Sequence, residues 1–177
     1  MSSSPTTAGM ATPSTEAEWM TKGAPIRAWL DVSRVIADNS THHPVPGDTL
    51  VIVDKIHGRV LTCRQGGNLS LERITDRDME QPIPERWQWI CSEKDNFTGF
   101  LNVAERRFLG RNNRWNYIAQ AGEQQGWENF VLSRRQNGYR ILSPHWFSLL
   151  AMSARPDGTR IDADQSTGTV WGFVQVV

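Results

Sequence analysis

Residues 99–131, GFLNVAERRFLGRNNRWNYIAQAGEQQGWENFV, carry four short apolar clusters separated by turn-forming residues and end on Trp127-Glu128-Asn129-Phe130-Val131. Similar endings stand on either side: Trp87-Gln88-Trp89-Ile90 before, and Trp171-Gly172-Phe173-Val174 after. Trp87 and Trp127 are 40 positions apart, and Trp127 and Trp171 are 44 apart. An aromatic signature returning at a near-constant period marks a repeat, each unit burying its apolar face against its neighbours.

Working outward, short β-type segments follow one another from Asp48 to the last residue. Unit one offers residues 50–53, 60–62, 69–71 and 87–91, with turns at His57-Gly58 and Gly66-Gly67. Unit two offers 100–101, 107–109, 115–119 and 127–132, and unit three offers 139–142, 146–150, 159–162 and 171–176. Three four-stranded units predict an all-β fold, a single β-trefoil. A three-bladed propeller is the poorer competitor, because propellers use at least four blades. In the trefoil reading Trp87, Trp127 and Trp171 all face the core. The insert between Leu71 and Trp87 is the longest irregular connection, the kind of loop on which function tends to sit.

The expected organisation is a disordered tail over 1–15, a short helix and linker over 16–45, and the trefoil over 46–177. The first segment is almost all Ser, Thr, Pro, Ala and Gly, too poor in apolar residues to offset the entropy of ordering. Trp29, Val32 and Ile36 share one helical face, which predicts a helix that docks on the domain and covers an opening, or recruits a partner. Asn39 to Gly47, with His42, His43 and two prolines, reads as linker. The 19 basic and 19 acidic residues cancel, which argues against nucleic acid and against an anionic membrane. Two cysteines, Cys63 and Cys91, are too few for a disulfide framework or a four-thiolate zinc site. No run has the length of a spanning helix and no signal peptide is evident, so a cytoplasmic protein is the default expectation.

An ordered series of motifs supports the trefoil: Trp89-Ile90-Cys91-Ser92-Glu93, Gly99-Phe100-Leu101-Asn102, Phe108-Leu109-Gly110, Gly126-Trp127-Glu128-Asn129-Phe130, Gly138-Tyr139-Arg140-Ile141-Leu142, Pro144-His145-Trp146 and Trp171-Gly172-Phe173-Val174. In these residues, from about Pro46 onward, the chain resembles the small fungal fascin-like, actin-cross-linking-type β-trefoil proteins. The resemblance implies the trefoil fold and, as a partner, an actin-like protein. Histidines that such sequences often place after the Leu-Gly of unit two and near its Trp-Glu are replaced here by Arg111 and by Gln124 and Gln125.

No cofactor motif is present: there is no phosphate-cradling glycine loop, no nucleophile elbow and no metal-ligand spacing, the adjacent His42-His43 reading as an incidental pair. Asp162 and Asp164, like Asp76 and Asp78, lie two apart, which on a strand puts both carboxylates on one face, although solvated turn acids are the better reading. His145 has the chemistry of a neutral-pH acid or base, weighed against a histidine bonded to backbone at a barrel end. Glu93 and Glu128 fall near strand ends within the motifs. Arg106, Arg107, Arg111 and Arg114, interleaved with Phe108 and Trp115, form a basic-aromatic patch suited to an acidic protein surface or an anionic metabolite. A sugar-binding trefoil would repeat Gln-x-Trp, and here Gln88 directly precedes Trp89.

The leading expectation is therefore a non-catalytic binding module for a protein partner or a small ligand. The alternative is a cyclase or isomerase of fungal secondary metabolism acting on a small hydrophobic metabolite. In it His145, Glu93, Glu128, Asp162 and Asp164 move protons, with no metal or cofactor.

Overall fold

The computed structural model describes Trp29 and residues 31–177. The expected tail and the first part of the expected helix lie outside those residues. Twelve strands form one antiparallel sheet. Unit one holds β1 (Thr49–Asp54), β2 (Arg59–Cys63), β3 (Leu69–Arg73) and β4 (Gln88–Lys94). Unit two holds β5 (Phe97–Asn102), β6 (Phe108–Arg111), β7 (Tyr117–Ala121) and β8 (Val131–Arg135). Unit three holds β9 (Gly138–His145), β10 (Ser148–Ala154), β11 (Ile161–Asp164) and β12 (Trp171–Gln175).

The first and last strand of each unit build a barrel. β1 pairs with β4, β4 with β5, β8 with β9, β9 with β12 and β12 with β1. The ring closes between β5 and Asn129–Val131, where Thr98 and Phe130 exchange backbone bonds of 3.0 and 2.8 Å. Closure removes the exposed strand edges that an open sheet would leave. The hairpins β2–β3, β6–β7 and β10–β11 cap one end. This is a β-trefoil.

The threefold register is strict. Leu50 opposes Trp89, Thr98 opposes Phe130, and Tyr139 opposes Trp171. Trp89, Phe130 and Trp171 are thus equivalent, and each step is 41 positions. The expectation that Trp127 faces the core is corrected here: it is 48% exposed, and Phe130, three residues on, fills the core place. The true partners of Trp87 are Glu128 and Thr169, three chemically unlike residues that are all buried. The barrel core is made by Leu50, Ile52, Trp89, Phe100, Phe130, Ile141, Trp171 and Phe173, with Phe100 stacked on Phe173 at 5.8 Å. Full burial of each such side chain stabilises by about 1.5–3 kcal/mol. The indoles of Trp89 and Trp171 also donate to the carbonyls of Leu61 and Met152, fixing a cap hairpin to the barrel at two equivalent points.

Differences in connection length break the symmetry. Leu71 to Trp89 spans 18 positions, against 11 from Ala119 to Phe130 and 8 from Ala163 to Trp171. The extra residues carry the one-turn helix α2 (Asp76–Met79), so Asp76 and Asp78 do not share a strand face. Instead the Asp78 carboxylate accepts from the Thr75 amide and hydroxyl, which holds its pKa below the ordinary value. This connection seats the helix α1 (residues 31–37): Trp29 donates to the Gln81 carbonyl and meets Trp87 edge-on at 5.7 Å. Val32 and Val35 pack with Val51, Val53, Val60 and Val174, residues that point out of the barrel opposite to Leu50 and Ile52. The helix therefore docks on the barrel wall, where the sequence reading had it covering an opening. A further insertion lengthens the β9–β10 hairpin and lifts Trp146 and Phe147 into solvent.

The segment expected to be linker is tied down. Phe173 receives a bond on its carbonyl from the His42 amide and gives one from its own amide to Thr41 Oγ1. His42 bonds Asp48 at 2.7 Å and His43 bonds the Tyr139 hydroxyl at 2.8 Å, so the two imidazoles serve separate structural bonds. Among the described residues no helix is long and apolar enough to cross a membrane.

Candidate functional site

A threefold fold repeats what folding needs, so side chains that only one unit carries point to something else. The cap turns supply the first. Gly67 and Gly158 hold left-handed backbone (φ +83° and +74°) where each turn docks on the next unit. A Cβ on Gly67 would lie 2.0 Å from the Ala119 carbonyl oxygen, and the Gly158 carbonyl accepts from the Leu71 amide. The third such position is Trp115, also left-handed at φ +62°, its carbonyl accepting from the Ala163 amide at 2.8 Å. A bulky side chain in that conformation is strained by about 1–2 kcal/mol.

Around Trp115 the units two and three assemble an aromatic face. Its ring lies 5.0 Å from that of His145, which meets Trp146 edge-on. On the other side Arg111 sits between two indoles, its guanidinium 5.9 Å from Trp115 and 5.5 Å from Trp127. Trp115 and Trp127 are half exposed, and Trp146 and Phe147 stand free at the tip of their hairpin. Beside Trp127 the β7–β8 connection outlines an open, shallow recess of about 600 Å³ between Ala121 and Glu128, with Glu123 and Gln125 in its lining.

Glu128 anchors that recess. Its carboxylate accepts from the Gln125 amide at 3.2 Å, bracketing the 3-10 turn Gly126–Glu128 that presents Trp127. Oε1 packs so close to Gly110 that a Cβ there would be 2.6 Å away, so a larger residue at that place would have to displace the Glu128 carboxylate. Burial pushes the Glu128 pKa above the ordinary carboxylate value, opposed by the backbone bonds. Gln124 is buried and structural: it accepts from Ser92 and donates to Phe97 and Asn129, tying β4 and β5 to the β7–β8 connection.

The other expected site residues scatter. Asp162 pairs with Arg155 at 2.6 Å and Arg160 at 2.7 Å, and it neighbours the Trp115 turn through a bridge to Asn116. Asp164 caps a turn, accepting from the Ser166 amide and hydroxyl, which lowers its pKa. Glu93 is exposed beside the β4–β5 turn, at the barrel end opposite the β9–β10 hairpin of His145. So the structure gathers His145, Glu128 and Asp162 around the Trp115–Arg111–Trp127 array, and leaves Glu93 away from it. The His145 ring makes aromatic contacts, and no backbone bond to it is found among the described residues.

A second cavity, about 550 Å³, opens among the three cap hairpins, lined by Arg64, Ser70, Tyr117, Asp157, Arg160 and Ile161. Its polar groups are largely engaged: Tyr117 bonds Ser143 at 2.7 Å, Arg64 bonds Ser70 at 2.8 Å, and Asp157 accepts from Thr159. Cys63 and Cys91 are free and buried, their thiols pushed up to about 12 and about 11 by burial, which keeps both protonated at neutral pH. No three His, Cys, Asp or Glu side chains cluster as a metal site among the described residues.

No family model matches the sequence, and no curated protein sequence does. Solved structures do. The chain is similar to the ricin B-like lectin of Macrolepiota procera, solved in complex with lactose, at 13% identity and a TM-score of 0.61. That likeness covers 75% of this chain and 99% of the lectin. It is similar too to the GlcNAcα1-4Gal-releasing endo-β-galactosidase of Clostridium perfringens, again at 13% identity and a TM-score of 0.61. There 73% of this chain matches and the match spans 33% of the galactosidase, a third of its length. At such identity the shared property is the fold, and the fold of this chain is the β-trefoil that both likenesses and the threefold register describe.

Proposed function

We propose that the chain is a non-catalytic binding module and that the recess beside Trp127 takes a saccharide. The observation that carries this reading is Trp127 itself, a half-exposed indole outside the core register, flanked by Glu123, Gln125 and Glu128. A sugar ring has one apolar C–H face and a rim of hydroxyls. An indole stacks against the first while carboxylate and amide groups hydrogen-bond the second. The lactose bound to the Macrolepiota procera lectin makes galactosides the first ligands to try.

Titration of the full chain with lactose, followed by calorimetry and tryptophan fluorescence, tests the proposal. Saturable binding is expected, weakened about tenfold or more by Trp127→Ala in a variant that stays folded. Absence of saturation across neutral saccharides, or unchanged affinity in the variant, overturns it.

The fascin-like motif series adds an actin-like partner to this reading, for which co-sedimentation with filamentous actin is the assay. For a cyclase or isomerase the five candidate acids and bases do not form one set. Glu93 is remote from His145, and Asp162 and Asp164 are occupied by Arg155, Arg160 and Ser166.

A further inference from the structure

We infer that the ligand of this face carries an anionic substituent, a carboxylate or a sulfate, received by Arg111; the inference rests on the saccharide reading above. Arg111 is only 8% exposed, yet none of the ion pairs among the described residues includes it. Its Nη1 reaches the Asn112 carbonyl at a long 3.4 Å, and Nε is enclosed with no partner. Nη2 makes no hydrogen bond among the described residues and is not among the enclosed unpartnered atoms, so it reaches the surface. Two flanking indoles attract the cation, but cation–π attraction replaces only part of the water that burial removes.

Folding does not require a cation here. Arg111 opposes Tyr117 at the end of β6–β7, and the matching pairs are Cys63 with Leu69 and Ala154 with Ile161. Units one and three therefore fill the Arg111 place with a small side chain, both packed with the barrel core. The contrast with Arg59 is direct. Its Nε is enclosed and unpartnered too, but its Nη1 and Nη2 meet the Asp54 carboxylate and the carbonyls of Arg155 and Pro156, so its charge is compensated inside the protein. The compensation for Arg111 has to come from outside. Between Trp115 and Trp127 an oxyanion would take the free edge of the guanidinium in a charge-assisted bond, with an adjoining sugar ring over Trp127.

The test is calorimetry on the full chain with three probes, D-galactose, D-galacturonic acid and galactose 6-sulfate, at low and high salt. One or both acidic sugars should bind about tenfold or more tighter than galactose, a preference that shrinks with salt. Preference for a single acidic probe identifies the oxyanion. Arg111→Gln should bring acidic and neutral affinities to within about twofold of each other, whereas Arg111→Lys should keep part of the preference. Should Arg111→Gln fail to fold, the salt series and the lysine variant decide. Galactose binding with no gain for either acid overturns the anion inference and leaves the saccharide reading standing. No binding of any probe overturns both.

Discussion

Trp115 stands in the third of the cap-turn positions that Gly67 and Gly158 fill, and it shares with Gly158 a left-handed backbone, φ +62° against +74°. The two differ by an indole that the fold did not need. Trp115→Gly should stabilise the protein by about 1 kcal/mol, by releasing the strain of a bulky residue at positive φ. Thermal denaturation checks this, and calorimetry should show the same variant losing ligand affinity. A lower melting temperature would mean that the ring's contacts with His145 and Arg111 outweigh the strain.

Trp127 and Trp171 belong to one sequence signature but should respond oppositely to truncation. Trp171→Ala empties a core place and removes the donor to the Met152 carbonyl, a loss of about 3–5 kcal/mol. Trp127→Ala touches a half-exposed ring and should stay within about 0.5–1 kcal/mol of the parent. Chemical denaturation of the two variants side by side gives the comparison.

Asp54 is fully buried and bonded by Arg59 at 2.9 Å. Arg59→Met removes the guanidinium, while the enclosed carboxylate keeps the Ile56 and His57 amides and the His57 ring, so the cost should be about 1.5–3 kcal/mol. If the loss measured by urea unfolding is under about 1 kcal/mol, the pair is not what holds the β1–β2 turn to the β10–β11 turn.

Glu128 sets a pH dependence with a definite sign. Its folded pKa lies above the ordinary 4.5, so between the two values the folded state holds more proton than the unfolded one. This group's contribution therefore becomes less favourable as pH rises from 4.5 through the folded value, and more favourable as pH falls through the same window. Glu128→Gln should flatten that slope in melting curves taken across mildly acidic pH. An unchanged slope would assign it to another group.

The strands were readable because alternation and turn chemistry are local, and the three units emerge in order, although the fourth strand of unit two, expected over 127–132, is Val131–Arg135. The register was not readable from tryptophan alone. Spacings of 40 and 44 pointed to Trp87, Trp127 and Trp171, whereas the equal spacing of 41 belongs to Trp89, Phe130 and Trp171. A core place asks for volume and apolarity, which Phe supplies as well as Trp, so residue identity misled where periodicity would not have. The Arg-rich run around Phe108 was visible, but four arginines look alike until β6–β7 pairing buries Arg111 and leaves Arg114 out. His145 and Trp115 meet across 30 positions, through a cap contact no local pattern encodes. Glu93 failed to join them for a similar reason: nearness to a strand end says nothing about which end of a barrel it is.

The pairing of β1 with β12 sets a timetable for the ribosome-bound chain. Ile52 opposes Phe173 across 121 positions, and the same last strand also bonds Thr41 and His42. During synthesis β1 can meet β2 and β4 early, but its other edge waits, unpaired and apolar, until β12 has emerged. Contacts that distant in sequence make folding slow, in the ms–s range roughly. The docked helix α1, arriving earlier on the outer valines of β1, covers one face of the waiting strand and leaves its open edge as the place where a nascent chain most needs a chaperone.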